Sequence, residues 1–320
     1  MERIAFIGTG VMGQAMAGHL LEAGYALTVS NRSPAKARAL VERGAAWADT
    51  PAEAAAGAAY VFTMLGYPAD VEAAYFGAAG LIAAADPGCV LIDMTTSSPA
   101  LARRIAAAAA ERGQASLDAP VSGGDVGARA ATLSIMVGGD PDAVEAARPL
   151  FALLGKTVIR QGGPGAGQSC KLANQIAVAA NMVGVAEALT FGAASGLDPR
   201  TMLASIGSGA AGSWSLANLL PRMLAGNVAP GFYIKHFIKD LKLAVDEAVG
   251  LGLPLPGVEL ALRLYRALAA LTPAELEAAS AAAADRPGFA AAAFAPAAAS
   301  GADLGTQAVY LLYAAGRADV

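Results

Sequence analysis

The sequence predicts an α/β first half, a doubly wound parallel sheet, followed by an all-α second half. Three observations carry this. Short runs of β-branched and large apolar residues alternate with helix-like runs up to about residue 163, and beyond it the pattern is helical throughout. A Gly-x-Gly-x-x-Gly turn also stands between the first strand and the first helix.

Taken in order, Arg3–Ile7, Ala26–Ser30, Tyr60–Leu65, Val90–Asp93 and Ser116–Ala119 read as strands, each closed by Gly, Asn, Pro or Thr. Val11–Ala23, Pro34–Arg43, Ala52–Ala56 and Pro99–Arg112 read as the helices between them. Ser33-Pro34 and Ser98-Pro99 are N-cap serines followed by a proline at the first helical position. Thr132–Val137 and Thr157–Ile159 form a further strand pair flanking a helix that begins near Pro141.

Gly162-Gly163-Pro164-Gly165 breaks the chain, so residues 1–163 are expected as one domain and 164–320 as the second. From Gly167 to Ala194 runs one long helix, apolar on almost every face, expected to be buried all round in a domain or a subunit interface. Lys171, Asn181 and Glu187 on or beside its apolar stretch argue for a core helix rather than a membrane span. Ala278–Ser300 is an alanine tract interrupted by Asp285-Arg286-Pro287-Gly288 and Pro296, expected as a loosely ordered insertion without a function.

A length of 320 residues leaves room for two domains. Charged residues make up only 15% and the net charge is -4, so no basic field exists for a nucleic-acid partner. The first residues lack the apolar run of a signal peptide, and a cytoplasmic protein without membrane association is expected. Two cysteines cannot form a disulfide framework or a four-ligand zinc site, and two histidines leave few parts for a metal site, so none is expected. Cys89 and Cys170 read as small buried hydrophobes.

The chemistry starts at Gly8-Thr9-Gly10-Val11-Met12-Gly13. Gly8 permits the tight turn, Gly10 lets a pyrophosphate approach the backbone, and Gly13 lets helix pack on strand. The free N–H groups of the helix start, around Val11 and Met12, then face the phosphate charge. A carboxylate for the ribose diol of NAD would stand at the end of the second strand. That stretch is Asn31-Arg32-Ser33 instead. Asn31 can bond a ribose oxygen, while Arg32 and Ser33 suit a 2′-phosphate, so NADP is expected over NAD, with NAD still possible.

Three later segments follow. Ser122-Gly123-Gly124 after a strand offers a hydroxyl and backbone N–H groups to a small carboxylate. Lys171 enters an otherwise apolar helix, with Asn174 and Gln175 three and four residues on, near the same face. A lysine so placed is costly unless paired or functional. Phe232 to Leu243 sets charges, Lys239 and Asp240 among them, within an apolar helical pattern.

Together these residues resemble the β-hydroxyacid dehydrogenase family, whose members include 3-hydroxyisobutyrate dehydrogenase and tartronate semialdehyde reductase. Gly8–Gly24, Asp118–Gly127, Gly165–Gln175 and Lys239–Leu241 match in order and spacing. The resemblance implies that Lys171 is the catalytic acid/base and that Ser122, Gly123 and Gly124 hold the substrate carboxylate. It implies that Asn174 or Gln175 orients the substrate, that Phe232 lines the pocket, and that Lys239 and Asp240 close over nicotinamide and substrate. Met64, Leu65 and Thr96 become cofactor contacts. A small-molecule substrate, hydride exchange between a 3-hydroxy acid and its semialdehyde, and a homodimer or homotetramer are expected. Imine reductases share the architecture and the Asn-Arg-Ser type of turn but place aspartate or tyrosine where Lys171 stands. A non-catalytic NADP-binding protein on this fold is the other alternative, and such relatives lose the lysine.

Overall fold

The computed structural model describes residues 2–286, 288–289 and 300–319. The chain divides into two compact units, Met1–Lys171 and Leu172–Val320, so the division falls eight residues beyond the glycine-rich break at Gly163.

The first unit is built on nine strands: β1 (Arg3–Ile7), β2 (Ala26–Ser30), β3 (Ala46–Trp47), β4 (Tyr60–Thr63), β5 (Val90–Asp93), β6 (Ala115–Asp118), β7 (Val121–Ser122), β8 (Leu133–Gly138) and β9 (Gly155–Gly162). They lie in the order β3-β2-β1-β4-β5-β6-β8-β7, with β9 paired to β8. Every pair from β3 to β6 is parallel, as the strand–helix alternation predicts. The far edge corrects that expectation, because β8 runs antiparallel to β6 and β7, which makes the sheet mixed. Gly123 and Gly124, with φ of +132° and +63°, turn the chain back at that edge.

Period-two alternation buries both faces of this sheet. Ile4, Phe6, Tyr60, Phe62, Val90 and Ile92 face one hydrophobic cluster, while Ala5, Ile7, Val61 and Leu91 face the other. Phe6 and Phe62 stack at 5.8 Å between ring centroids, and Phe151 meets Phe62 edge-on. Strand order reverses between β1 and β4, which opens a crevice at their carboxyl ends.

The regular elements among the described residues of the second unit are helices, with one isolated bridge between Tyr233 and Gly305. Its core gathers Met182, Leu189, Leu220, Phe237, Tyr265, Leu268 and Leu311 from successive helices. The Ala166–Ala194 helix begins in the first unit and contributes Ala179, Met182, Val183, Ala186 and Leu189 to this core. By length and composition alone it is long and apolar enough to cross a membrane; 39% of its most apolar stretch is buried. It is not buried all round, however. Ala173, Ala177, Ala180, Asn181, Gly184, Glu187 and Phe191 form an exposed stripe at helical spacing.

Other elements depart from the sequence reading. Pro34–Arg43 is a 3₁₀ turn, Pro34–Lys36, followed by a helix over Arg38–Glu42, and Ser33 makes no side-chain cap. Ser98 does cap its helix, accepting from the Leu101 N–H. Helices at Pro68–Phe76 and Leu81–Ala84 carry no clear apolar period and were not anticipated. Within the alanine tract, residues 278–284 belong to a regular helix, Pro273–Ala284, fixed by a capping box between Thr272 and Glu275. Over residues 278–284 a helix therefore replaces the expected loose order; residues 287 and 290–299 of the tract lie outside the described residues.

Candidate active site

The Gly-x-Gly-x-x-Gly turn sits at the β1/β4 crevice. Gly8 has φ +96°, and a Cβ there would run into the Met64 carbonyl and within 3.0 Å of Leu65 Cδ2. A Cβ on Gly13 would collide with the Gly8 carbonyl, so this position serves helix–strand packing. At Gly10, by contrast, a Cβ would meet nothing within 4 Å. Gly10 is the N-cap of the Val11–Glu22 helix and offers no side-chain acceptor, so the turn keeps open space above an uncapped helix start. The Thr9 hydroxyl beside it is buried and has no hydrogen-bond partner. These features fit the pyrophosphate of a dinucleotide.

Asn31 does more than the sequence suggests. Its Oδ1 accepts the Thr9 N–H at 3.1 Å and its Nδ2 donates to the Ser33 carbonyl at 2.8 Å. One amide thus ties the phosphate turn to the end of β2. Arg32, Ser33 and Lys36 are exposed on that end, with no acidic side chain at positions 31 to 33.

Two carboxylates stand side by side at the ends of β5 and β6, where Asp93 pairs in register with Asp118. Asp93 Oδ1 accepts from the Thr63 hydroxyl at 2.8 Å and from the Thr95 N–H at 3.0 Å. The Thr95 hydroxyl in turn accepts from the Leu65 N–H. Burial pushes the Asp93 carboxyl up to about 6, against the hydrogen bonds from Thr95 and Thr63. Burial also raises Asp118, which takes the Gly165 and Gln168 N–H groups at 2.8 Å each. Thus Met64, Leu65 and Thr96 lie on turns fastened to Asp93, and the start of the lysine helix is fastened to Asp118.

Lys171 is 6% exposed, one turn inside that helix. Cys170 before it is half-buried, less enclosed than the sequence reading expects. Cys89 is buried, its thiol pushed up to about 12. Ser122 ends β7, and Gly123 and Gly124 begin the Gly124–Arg129 helix, so hydroxyl and N–H groups share one turn. In the second unit Gln175 is buried and donates to Asp240 Oδ2 at 2.6 Å, while Asn174 donates to Gln175 Oε1 at 2.7 Å. Lys239 Nζ lies 3.0 Å from Asp240 Oδ1. Phe232 packs edge-on against Phe237 at 5.6 Å. Asn174, Gln175, Lys239 and Asp240 are therefore brought into one chain of polar contacts.

Sequence reasoning missed Thr9, Asp93, Thr95, Ser97 and Gln168. The signal available was an aspartate closing each of two strands directly after large apolar residues, Leu91-Ile92-Asp93 and Leu117-Asp118. A charge at a buried strand end requires dedicated donors.

The family model for the NAD-binding domain of 6-phosphogluconate dehydrogenase matches residues 3–163. The model described as NAD-binding of NADP-dependent 3-hydroxyisobutyrate dehydrogenase matches residues 165–284. An uncharacterised oxidoreductase of Bacillus subtilis is 53% identical over 83% of this chain and 93% of its own length. The NAD-dependent L-serine dehydrogenase of Pseudomonas aeruginosa is 42% identical over 84% of this chain and 92% of its own. The 2-hydroxy-3-oxopropionate reductase of Escherichia coli is 41% identical over 84% and 91%. Among solved structures, the 3-hydroxyisobutyrate dehydrogenase of Mycobacterium tuberculosis with L-serine superposes with a TM-score of 0.81 at 31% identity, covering 97% of this chain and 98% of that one. An imine reductase of Streptomyces aurantiacus is more distant, with a TM-score of 0.58 at 25% identity over 84% of this chain and 94% of that one.

Proposed function

Because this chain belongs to the 6-phosphogluconate dehydrogenase/3-hydroxyisobutyrate dehydrogenase family and is an NAD(P)-dependent oxidoreductase, we propose that it interconverts a small 3-hydroxy acid and its semialdehyde, with NADP preferred and Lys171 as general acid/base. The observation that carries this reading is the buried lysine one turn into a helix whose start is bonded to the end of β6. The exposed Arg32 and Ser33, in place of a ribose-binding carboxylate, support NADP.

Bound nicotinamide supplies or accepts the hydride. The chain's part is to hold the substrate and handle the proton. Ser122 and the N–H groups of Gly123 and Gly124 take the substrate carboxylate. As negative charge develops on the reacting oxygen, the Lys171 ammonium stabilises it and donates the proton; in the oxidative direction the neutral amine takes the hydroxyl proton. In the second unit Gln175 is held by Asp240, and the family resemblance gives Gln175 the part of orienting the substrate and Phe232, Lys239 and Asp240 contacts to substrate and nicotinamide. The stripe from Ala173 to Phe191, with Phe191 73% exposed, supports association into a homodimer or homotetramer.

The test is oxidation of NADPH and NADH with tartronate, succinic and methylmalonate semialdehydes and glyoxylate, and reduction of NADP and NAD with L-serine. Lys171→Ala is run beside the wild type. Loss of at least ~100-fold in the variant is expected from removal of a general acid. Reduction of cyclic imines with every hydroxy-acid substrate ignored would replace this reading with the imine reductase one. NADPH binding without turnover of any of these would favour a binding protein.

A further inference from the structure

We propose that Gln168 is a positioning residue, which fixes Lys171 relative to the cofactor-contacting residue Thr96 through a two-point amide clamp; this rests on the roles given to Lys171 and Thr96 above. Gln168 is fully buried. Its Nε2 donates to the Thr95 carbonyl at 2.7 Å, and its Oε1 accepts from the Ser97 N–H at 2.9 Å. One side chain thus holds the backbone groups immediately before and after Thr96. The backbone of Gln168 is itself fixed, its N–H on Asp118 Oδ2 and the Gly165 N–H on Oδ1.

The surrounding packing leaves this arrangement little freedom. A Cβ on Gly138 would lie 2.5 Å from Asp118 Oδ1 and 2.7 Å from the Gly167 N, and a Cβ on Gly167 would meet the Asp118 and Met136 carbonyls. The first turn of the helix is therefore pressed on the ends of β6 and β8. Lys171 follows Gln168 by three residues, on the same helix face. Shifting the Gln168 amide tilts this turn against the Thr95–Ser97 segment, which Asp93 holds from its other side through the Thr95 N–H. General acid catalysis and hydride transfer both demand placement within fractions of an ångström, so the clamp acts on the chemical step.

The clamp needs one donor and one acceptor on the same planar group. Glutamine supplies both; an ionised glutamate supplies only acceptors and faces the Thr95 carbonyl with a negative charge; a protonated glutamate supplies both again. Gln168→Glu therefore switches the clamp with pH, and burial beside Asp118 and Asp93 keeps its carboxyl protonated well above the ordinary range.

The experiment compares wild type, Gln168→Glu, Gln168→Leu and Lys171→Ala as full chains from about pH 5.5 to 8.5, the span in which a buried glutamate titrates. It reads kcat with the active substrate, the NADPH dissociation constant by fluorescence titration, thermal midpoint, and hydrogen exchange of peptides spanning residues 94–98, each relative to wild type at the same pH. The expected result is a Gln168→Glu kcat within a few-fold of wild type at the acid end and at least ~10-fold below it at the alkaline end, the loss of one buried hydrogen bond. Exchange at residues 94–98 should rise over the same range while the NADPH dissociation constant stays within a few-fold. Gln168→Leu should stay low in kcat at every pH.

A pH-independent ratio of Gln168→Glu to wild type, in both kcat and exchange, would overturn the clamp. So would a fall in kcat matched throughout by equal losses in NADPH affinity and thermal midpoint, which marks a merely structural residue. If Lys171→Ala retains wild-type turnover, the catalytic reading fails first; if it is inactive while both Gln168 variants match wild type, only the clamp fails. The exchange and binding readouts decide the clamp geometry without any turnover.

Discussion

Asp93→Asn should stabilise the first unit at neutral pH, although it removes a charge from a hydrogen-bonded network. Two of the bonds that Asp93 accepts, from the Thr63 hydroxyl and the Thr95 N–H, converge on Oδ1, which an asparagine retains; the Thr95 hydroxyl adds a further bond to the carboxyl. What the substitution removes is the burial cost of the ionised carboxyl, whose pKa stands at about 6 instead of 3.8. At about 1.4 kcal/mol per pH unit, that gap corresponds to about 3 kcal/mol as an upper value. Below about pH 4 the carboxyl is protonated in both folded and unfolded chains and costs nothing. Between about pH 4 and pH 6 the unfolded chain gives up the proton while the folded chain keeps it, so wild-type stability falls as pH rises. Above about pH 6 the full cost persists. The asparagine variant lacks this slope. Urea unfolding followed by near-ultraviolet circular dichroism, both proteins side by side from about pH 4.5 to 7.5, reads the difference directly. The variant's advantage should grow with pH to about 3 kcal/mol, or roughly 6–12 °C in thermal midpoint for a unit of this size. A difference that is flat with pH, or a variant weaker than wild type at pH 7.5, would refute the reasoning.

Gly10 and Gly13 should separate cleanly. Gly13→Ala drives a methyl into the Gly8 carbonyl and should cost about 1–3 kcal/mol or more in thermal unfolding. Gly10→Ala has open space and should change stability by no more than about 1 kcal/mol. Because its methyl fills the volume a pyrophosphate enters, its NADPH dissociation constant should nevertheless rise at least ~10-fold in a fluorescence titration. Arg32→Ala should raise the KM for NADPH by about 10–100-fold, the worth of a charge-assisted phosphate contact, and leave the KM for NADH unchanged in steady-state assays.

Strand and helix alternation made the parallel half of the sheet readable, since β1, β2 and β5 keep their sequence-derived bounds unchanged. The antiparallel edge was not readable, because Val121-Ser122 is only two residues long and its pairing with β8 depends on the turn at Gly123 and Gly124. The long helix misled in a specific way: alanine contributes to an apolar average without requiring burial, so an alanine stripe can face outward. Within the candidate site, residues with a chemical signature in sequence were legible, Gly8, Gly10, Gly13 and Lys171 above all. Gln168, Thr95 and Asp93 were not: Asp93 and Thr95 satisfy the Thr63 hydroxyl and the Leu65 N–H thirty positions away, and Gln168 satisfies backbone groups more than seventy positions away. No local spacing records such a pairing.

The Asn31 amide that joins the phosphate turn to the end of β2 bears on any attempt to exchange the coenzyme preference of this protein. The obvious design places an acid at that strand end to grip a ribose diol. An aspartate at position 31 would keep an acceptor for the Thr9 N–H but lose the donor to the Ser33 carbonyl, loosening the loop that carries Arg32. A designer who moves the acid to position 32 and leaves Asn31 alone would alter selectivity without unfastening the turn. Coenzyme choice and loop architecture are thus inherited together at position 31 and can be separated only one residue further on.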